Sequence, residues 1–228
     1  MDLEEADDFL SDHRGDIKAL MDFLGANPEI IRMENESGGR LMFGPPLYGD
    51  VSVCMALLAH GAKADPVDPE DGYTPLMHAA YGGYLDIVKL LLKHGANPNH
   101  TNNNMGETPL TGAAQWGHAK VVEALIKHGA QVDKPCGFGV TPLMYAISGC
   151  DLHTVEILLK AGADPNLADN NGNTVFEFAL GSGSIAMMKA ITGNPRFIKL
   201  PPEKMEELLK TSSDINSQMN EIIRSAVG

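Results

Sequence analysis

The sequence predicts an all-α solenoid of about six stacked helix pairs, on three markers that share one period. The first is Thr74-Pro75-Leu76, which recurs as Thr108-Pro109-Leu110 and Thr141-Pro142-Leu143 and decays to Thr174-Val175-Phe176, at spacings of 34, 33 and 33 residues. The second is a mid-unit glycine at Gly15, Gly49, Gly83, Gly117 and Gly183, with Cys150 in the same register. The third follows each second helix: His60-Gly61-Ala62, His94-Gly95-Ala96, His128-Gly129-Ala130 and Ala161-Gly162-Ala163. A single helix pair cannot bury its apolar face, so units of this kind must stack.

Each element follows from local chemistry. Thr ahead of Pro starts a helix, because the hydroxyl caps free amides and Pro at the first helical position sacrifices no hydrogen bond. The short helix that follows carries small pairs, Ala79-Ala80 or Ala113-Ala114, which let neighbouring backbones approach. The central glycine ends it. Leu85 to Lys93 then reads as a second helix with apolar residues at helical spacing. Gly95 supplies the left-handed residue that terminates it. The Asn-, Asp- and Gly-rich stretch up to Gly72, Gly106, Gly139 or Gly172 is a turn-forming finger.

These residues closely resemble the ankyrin-repeat family, whose pattern the stretch 71–99 nearly spells out. The resemblance implies an elongated, slightly curved stack with β-hairpin fingers projecting from it. The repeat region is expected over residues 1–195, in units of about 2–32, 33–67, 68–101, 102–135, 136–168 and 169–195. Residues 196–228 lose the pattern. There Glu203 to Lys210 and Asp214 to Val227 read as C-terminal capping helices, the second with an apolar stripe of Ile215, Met219, Ile222 and Ile223.

Two departures stand out. The family's usual histidine after Thr-Pro-Leu is replaced by Met77, Thr111, Met144 and Glu177, which weakens any expectation of hydrogen bonds from that position to the next repeat. The second unit has Pro45-Pro46 where the others carry small residues, so its first helix should be broken, shortened or rebuilt between Leu41 and Tyr48.

Composition narrows the function. A net charge of −13 opposes binding to nucleic-acid phosphates and to anionic membranes. Cys54, Cys136 and Cys150 form no disulfide framework, which suggests a reducing compartment. The acidic start, with Asp2, Glu4, Glu5, Asp7 and Asp8, opposes targeting patterns, and no apolar run is long enough to span a bilayer. A cytoplasmic location, or a nuclear one, is expected.

Catalysis and cofactors are not expected. His60, His94 and His128 recur once per unit and do not converge, and Cys150 with His153 lacks further ligands for zinc. The run Gly181 to Lys189 lacks phosphate-loop spacing, and no nucleophile elbow occurs.

The resemblance implies that a partner protein is gripped by the finger tips and the exposed side of the first helix. By register this gives Glu70, Asp71, Tyr73 and Tyr81 in the third unit, and Asn104, Met105, Glu107, Gln115 and Trp116 in the fourth. The fifth gives Phe138, Val140 and Ser148, and the sixth Asn170, Asn171 and Asn173. Tyr73, Tyr81, Met105, Glu107, Gln115, Trp116, Phe138 and Val140 are the candidate contacts, because aromatic residues and Met are enriched at interface cores. Trp116 and Phe138 could instead pack between adjacent fingers.

The expected function is a non-catalytic scaffold or adaptor, monomeric, for a basic partner or one with an exposed apolar segment. A regulatory or inhibitory subunit of an enzyme, or a chaperone for apolar segments, are the alternatives. Through residue 36, eleven acids face only Arg14, Lys18 and Arg32, so this end holds −8 of the −13 and could steer a basic partner. Asn99 and Asn166, each eight residues after a leucine (Leu91, Leu158), occupy the finger position that asparaginyl hydroxylases modify in similar proteins; tolerance of left-handed turns is by itself reason enough for Asn there.

Overall fold

A computed structural model of the chain describes residues 2–36 and 39–199, together with 201, 203, 206, 221, 222 and 224. Two compact units are distinguished: Met1–Ala113 with Lys120–Gln131, and Ala114–Ala119 with Val132–Gly228.

The first unit opens with α1 (Leu3–Asp12), α2 (Ile17–Ala26) and α3 (Pro28–Glu36), followed by a 3-10 turn at Arg40–Met42. The helix pairs α4 (Gly44–Tyr48) with α5 (Val51–Ala59), and α6 (Pro75–Tyr81) with α7 (Leu85–Lys93), come next. Its last elements are α8 (Pro109–Gln115), whose final residues fall in the second unit, and α9 (Ala119–Lys127), which belongs to it from Lys120. The second unit carries the pairs α10 (Pro142–Ser148) with α11 (Leu152–Lys160), and α12 (Val175–Ser182) with α13 (Ile185–Thr192).

The helix starts are where Thr-Pro-Leu places them. The Thr74 hydroxyl accepts from Met77 N at 3.3 Å and the Thr141 hydroxyl from Met144 N at 3.4 Å, each with Pro in the first turn. Three of the residues standing where the family has histidine complete caps of this kind, Met144 by accepting from Thr141 N through its sulfur at 3.4 Å. Thr108 N donates to Thr111 Oγ1 at 2.8 Å, and Thr174 N donates to Glu177 Oε2 at 2.9 Å, so each returns to its own capping threonine. The second helices have their own caps: Asp16, Asp50, Asp151 and Ser184 accept from the amide three residues on. At their C-termini, Nδ1 of His60 and His128 bonds the carbonyls of Ala56 and Ala124 at 2.9 and 2.8 Å.

The small residues of the first helices and one face of the second helices make the cores. Leu76, Met77, Ala79, Ala80, Ile87, Val88 and Leu91 are buried in the first unit; Leu143, Met144, Ala146, Ile147, Val155 and Leu158 are buried in the second. Pro45-Pro46 does rebuild the local helix: α4 has five residues, with both prolines in its first turn, and the 3-10 turn takes up the preceding chain.

The expectation of β-hairpin fingers is wrong. Among the described residues there is no strand, only an isolated antiparallel bridge between Ala168 and Thr174. The reason is length. Each finger is a tight turn, closed at its base by a bond such as Asp68 N to the Tyr73 carbonyl at 2.9 Å or Cys136 N to the Val140 carbonyl at 3.0 Å, and the next residue is already the helix cap. Inside the loop, Asp side chains take the amides a ladder would need: Asp68 accepts from Glu70 N, Asp71 from Tyr73 N, and Asp169 from Asn171 N and Asn173 N. Backbone to backbone, successive fingers meet at Asn103 N to the Asp71 carbonyl and Asn170 N to the Phe138 carbonyl.

Side chains also stitch successive repeats within each unit. In the first, Asp65 accepts from Asn97 N at 3.1 Å, while Asn99 donates to the Gly129 carbonyl at 2.8 Å and accepts from Gln131 N at 2.7 Å. In the second, Asp133 accepts from Asp164 N at 3.0 Å, and Asn166 holds the Arg196 carbonyl and Ile198 N, both at 2.7 Å. Left-handed geometry is not why asparagine sits there: among the described residues Cys150 is the one non-glycine with positive φ.

Cys150 stands at φ 59° in the register where Gly49, Gly83, Gly117 and Gly183 also turn left-handed. A side chain there costs about 1 kcal/mol. Cys150→Gly is therefore expected to stabilise the chain by about 1 kcal/mol, raising the melting temperature by about 3 °C in a thermal scan.

The expected capping helices lie almost wholly outside the described residues. At the described positions 203, 206, 221, 222 and 224 the chain is helical, and Ile222 is buried.

Candidate protein-binding surface

In the first unit, the candidates gather around one carboxylate. Glu107 is 6% exposed, and its oxygens accept from the Tyr73 hydroxyl at 3.3 Å, the Tyr81 hydroxyl at 3.3 Å and Asn102 Nδ2 at 3.1 Å. Asn102 Oδ1 in turn accepts from the Glu107 amide at 3.0 Å and the Met105 amide at 3.1 Å. Burial, and secondarily the neighbouring Glu107 charge, pushes both phenol pKa values up, so the two O–H donors stay protonated and hold the carboxylate.

The rings are fixed from several sides. Tyr73 stacks on His78 at 5.2 Å and meets Tyr81 at 6.2 Å between ring centroids. Burial lowers the His78 pKa, against the opposing pull of Asp71 and Asp68, which favours the neutral ring. Tyr81 lies against Gly112, where an added Cβ would stand 2.5 Å from its ring. Glu107 thus sits beneath the surface and positions the tyrosines. Tyr73 and Tyr81 are half-buried, and Met105 is the exposed member of this group.

In the second unit, Trp116 and Phe138 are 61% and 59% exposed, while Gln115 and Val140 are half-buried. Trp116 follows the last residue of α8, and Phe138 is at a finger tip. That tip is held from the next finger by Asn170, whose backbone N donates to the Phe138 carbonyl and whose Nδ2 donates to the Gly137 carbonyl, both at 3.0 Å. Asn170 therefore braces the finger, a role its sequence position did not reveal. Asn171 and Asn173 turn inward to Asp169.

Other features carry less chemistry. Cys54 and Cys136 are buried, and burial, with the nearby Asp50 charge, raises the Cys54 thiol to about 12. Cys150 is exposed. No group of three His, Cys, Asp or Glu among the described residues could hold a metal ion. A cavity of about 530 Å³ in the first unit is lined by Leu24, Pro28, Ile31, Arg32, Glu36, His60 and Lys63, where α3 stands in place of a finger. No helix of the described residues is long and apolar enough to cross a membrane.

Capped helix pairs joined by short turn fingers and stitched repeat to repeat define a helical repeat protein. Two family models, both described as ankyrin repeats, match residues 46–136 and 125–179. The chain belongs to the ankyrin-repeat family. Among curated proteins it is similar to Inversin of Gallus gallus, at 42% identity over 59 residues, 26% of this chain and 5% of that protein. It is also similar to Inversin of Homo sapiens, at 36% over 81 residues, 35% of this chain and 8% of that protein. The chain thus spans under a tenth of the length of these relatives.

Proposed function

We propose that the chain is a scaffold or adaptor that binds a partner protein through its finger tips and the adjoining ends of its first helices. The observation that carries this reading is the exposure of Trp116 and Phe138 in the second unit. Large aromatic residues more than half in water add little to folding there, whereas Trp and aromatic side chains supply much of the binding energy at interfaces. Their backbones are already fixed by the Asn170 brace and the end of α8, so little ordering entropy is lost on binding.

Trp116→Ala is expected to cost about 2 kcal/mol or more of affinity, roughly thirtyfold, while leaving the melting transition in place. Pull-down from cells of the source organism, followed by calorimetry with the captured partner, reads both. A lost melting transition would put Trp116 in the core and remove the basis for the proposal. The acidic surface of α1, with Glu4, Glu5, Asp8 and Asp12 exposed, supports a partner with basic character, whose association would slow as salt is raised. A cytoplasmic or nuclear setting belongs to the same reading.

A further inference from the structure

The outer surface of α5 departs from its repeat-mates in a way the fold does not require. At three register positions facing water, α7 carries Asp86, Lys89 and Lys93, α9 carries Lys120, Glu123 and Lys127, and α11 carries His153, Glu156 and Lys160. In α5 these positions are Ser52, Met55 and Ala59, and none of its nine residues is charged. Met55 is 45% exposed, and on the adjoining α2 Met21 and Ile17 are 37% and 39% exposed. A helix that is apolar all round is ordinarily covered on every side. This one packs against α2 on one flank and α7 on the other, with its outer face bare.

The flanks differ in a telling way. Lys18 on α2 and Asp86 on α7 are register equivalents of Ser52, so they stand at one height on either side of it, both exposed. Asp22 on α2 and Lys89 on α7 form a second exposed pair, within one residue of a common height. The order of signs is thus reversed from one flank to the other: Lys then Asp along α2, Asp then Lys along α7.

We propose that this face is the interface of a homodimer. A two-fold axis running along α5 sets Met55 against Met55 of a second copy and brings each α2 over the α7 of the other. Lys18 then meets Asp86 of the second copy, and Asp22 meets Lys89. A two-fold interface must be self-complementary, and the reversed sign order is what makes this one so. The apolar centre supplies the attraction and the four charge pairs fix the register. This departs from the monomer expected of repeats with polar caps, because the bare apolar face lies on α5 and not at a cap. It is independent of the finger-tip reading, since it uses second helices alone.

Sedimentation equilibrium of the full chain, in a series up to about 1 mM, tests it. The wild type is expected to pass from one chain mass to two. Met55→Glu should weaken dimerisation at least about tenfold, by placing two like charges on the axis. Its fold is safe, because Glu123 and Glu156 occupy the same register position, and circular dichroism checks this. Lys18→Asp should also weaken the dimer, and adding Asp86→Lys should restore it, because the pair re-forms with its signs exchanged. A wild type that stays at one chain mass overturns the proposal, even if that face captures some other protein. So does a dimer untouched by Met55→Glu, or a Lys18→Asp defect that Asp86→Lys fails to rescue.

Discussion

Glu34→Ala is expected to cost about 3 kcal/mol of stability, a loss read as a lower denaturant midpoint at unchanged slope. Glu34 is 0% exposed, at the end of α3, and both its oxygens work: Oε2 accepts from Leu41 N at 2.8 Å and Oε1 from Met42 N at 3.0 Å. Those amides open the 3-10 turn that leads into the proline-bearing α4. Removing the carboxylate strands the buried Leu41 donor, at about 1–3 kcal/mol, takes from Met42 N one of its two acceptors (the other is the Gly39 carbonyl at 3.0 Å), and leaves a void. Glu34→Gln keeps one acceptor and should lose about half as much.

The same residue gives a pH signature of unusual sign. Burial pushes the Glu34 carboxyl above the ordinary glutamate range, against the pull of the two amides, and the Asp7 charge adds to the rise. The folded state therefore holds this proton more tightly than the unfolded chain does. Its contribution to stability is fullest below the ordinary glutamate pKa and declines as pH rises through the raised value. Subtracting the profile of Glu34→Gln from that of wild type, over about pH 4 to 7, should leave that decline; a difference that rises with pH would contradict it.

Gly149→Ala is expected to lose about 3 kcal/mol. Gly149 ends α10 with ordinary right-handed geometry, so backbone strain is not the cause. An added Cβ would overlap the Gln115 carbonyl oxygen, and a backbone atom cannot swing aside as a side chain would. The natural control is Gly181→Ala in α12, where a Cβ meets nothing within 4 Å. There the helix should gain about 0.5–1 kcal/mol. Thermal scans of the two variants, both in the second unit, separate close backbone approach from helix propensity. Equal losses would show that neither contact geometry nor propensity decides.

What the sequence made legible was whatever depends on neighbours along the chain. Thr-Pro-Leu marks helix starts because a cap needs only the next three amides, and the family followed from the same local repeats. Pro45-Pro46 told of a rebuilt α4 for the same reason. The β-hairpin fingers failed because they rested on resemblance, while the Asp side chains at 68, 71 and 169 take the amides a ladder would use. α3 broke the repeat period and so gave no periodic signal. Glu107 looked like a surface acid, since nothing local says that Tyr73, Tyr81 and Asn102 will close over it. The exposure of Met55 could have been foreseen by aligning the second helices, where Met21 and Met55 stand in a column otherwise filled by Lys89, Glu123, Glu156 and Lys189.

Asn99 and Asn166 each make a joint between repeats depend on one side-chain amide. Each side-chain amide donates to a carbonyl of the following repeat and accepts from an amide two residues beyond that carbonyl. An aspartate in place of either one would set a charged oxygen where the donating nitrogen stood, facing the Gly129 or Arg196 carbonyl lone pairs and repelling them. The accepting half of the clasp survives, so the joint loosens without opening. An exchange of one nitrogen for one oxygen, almost invisible in mass, would thus make two repeats part more easily.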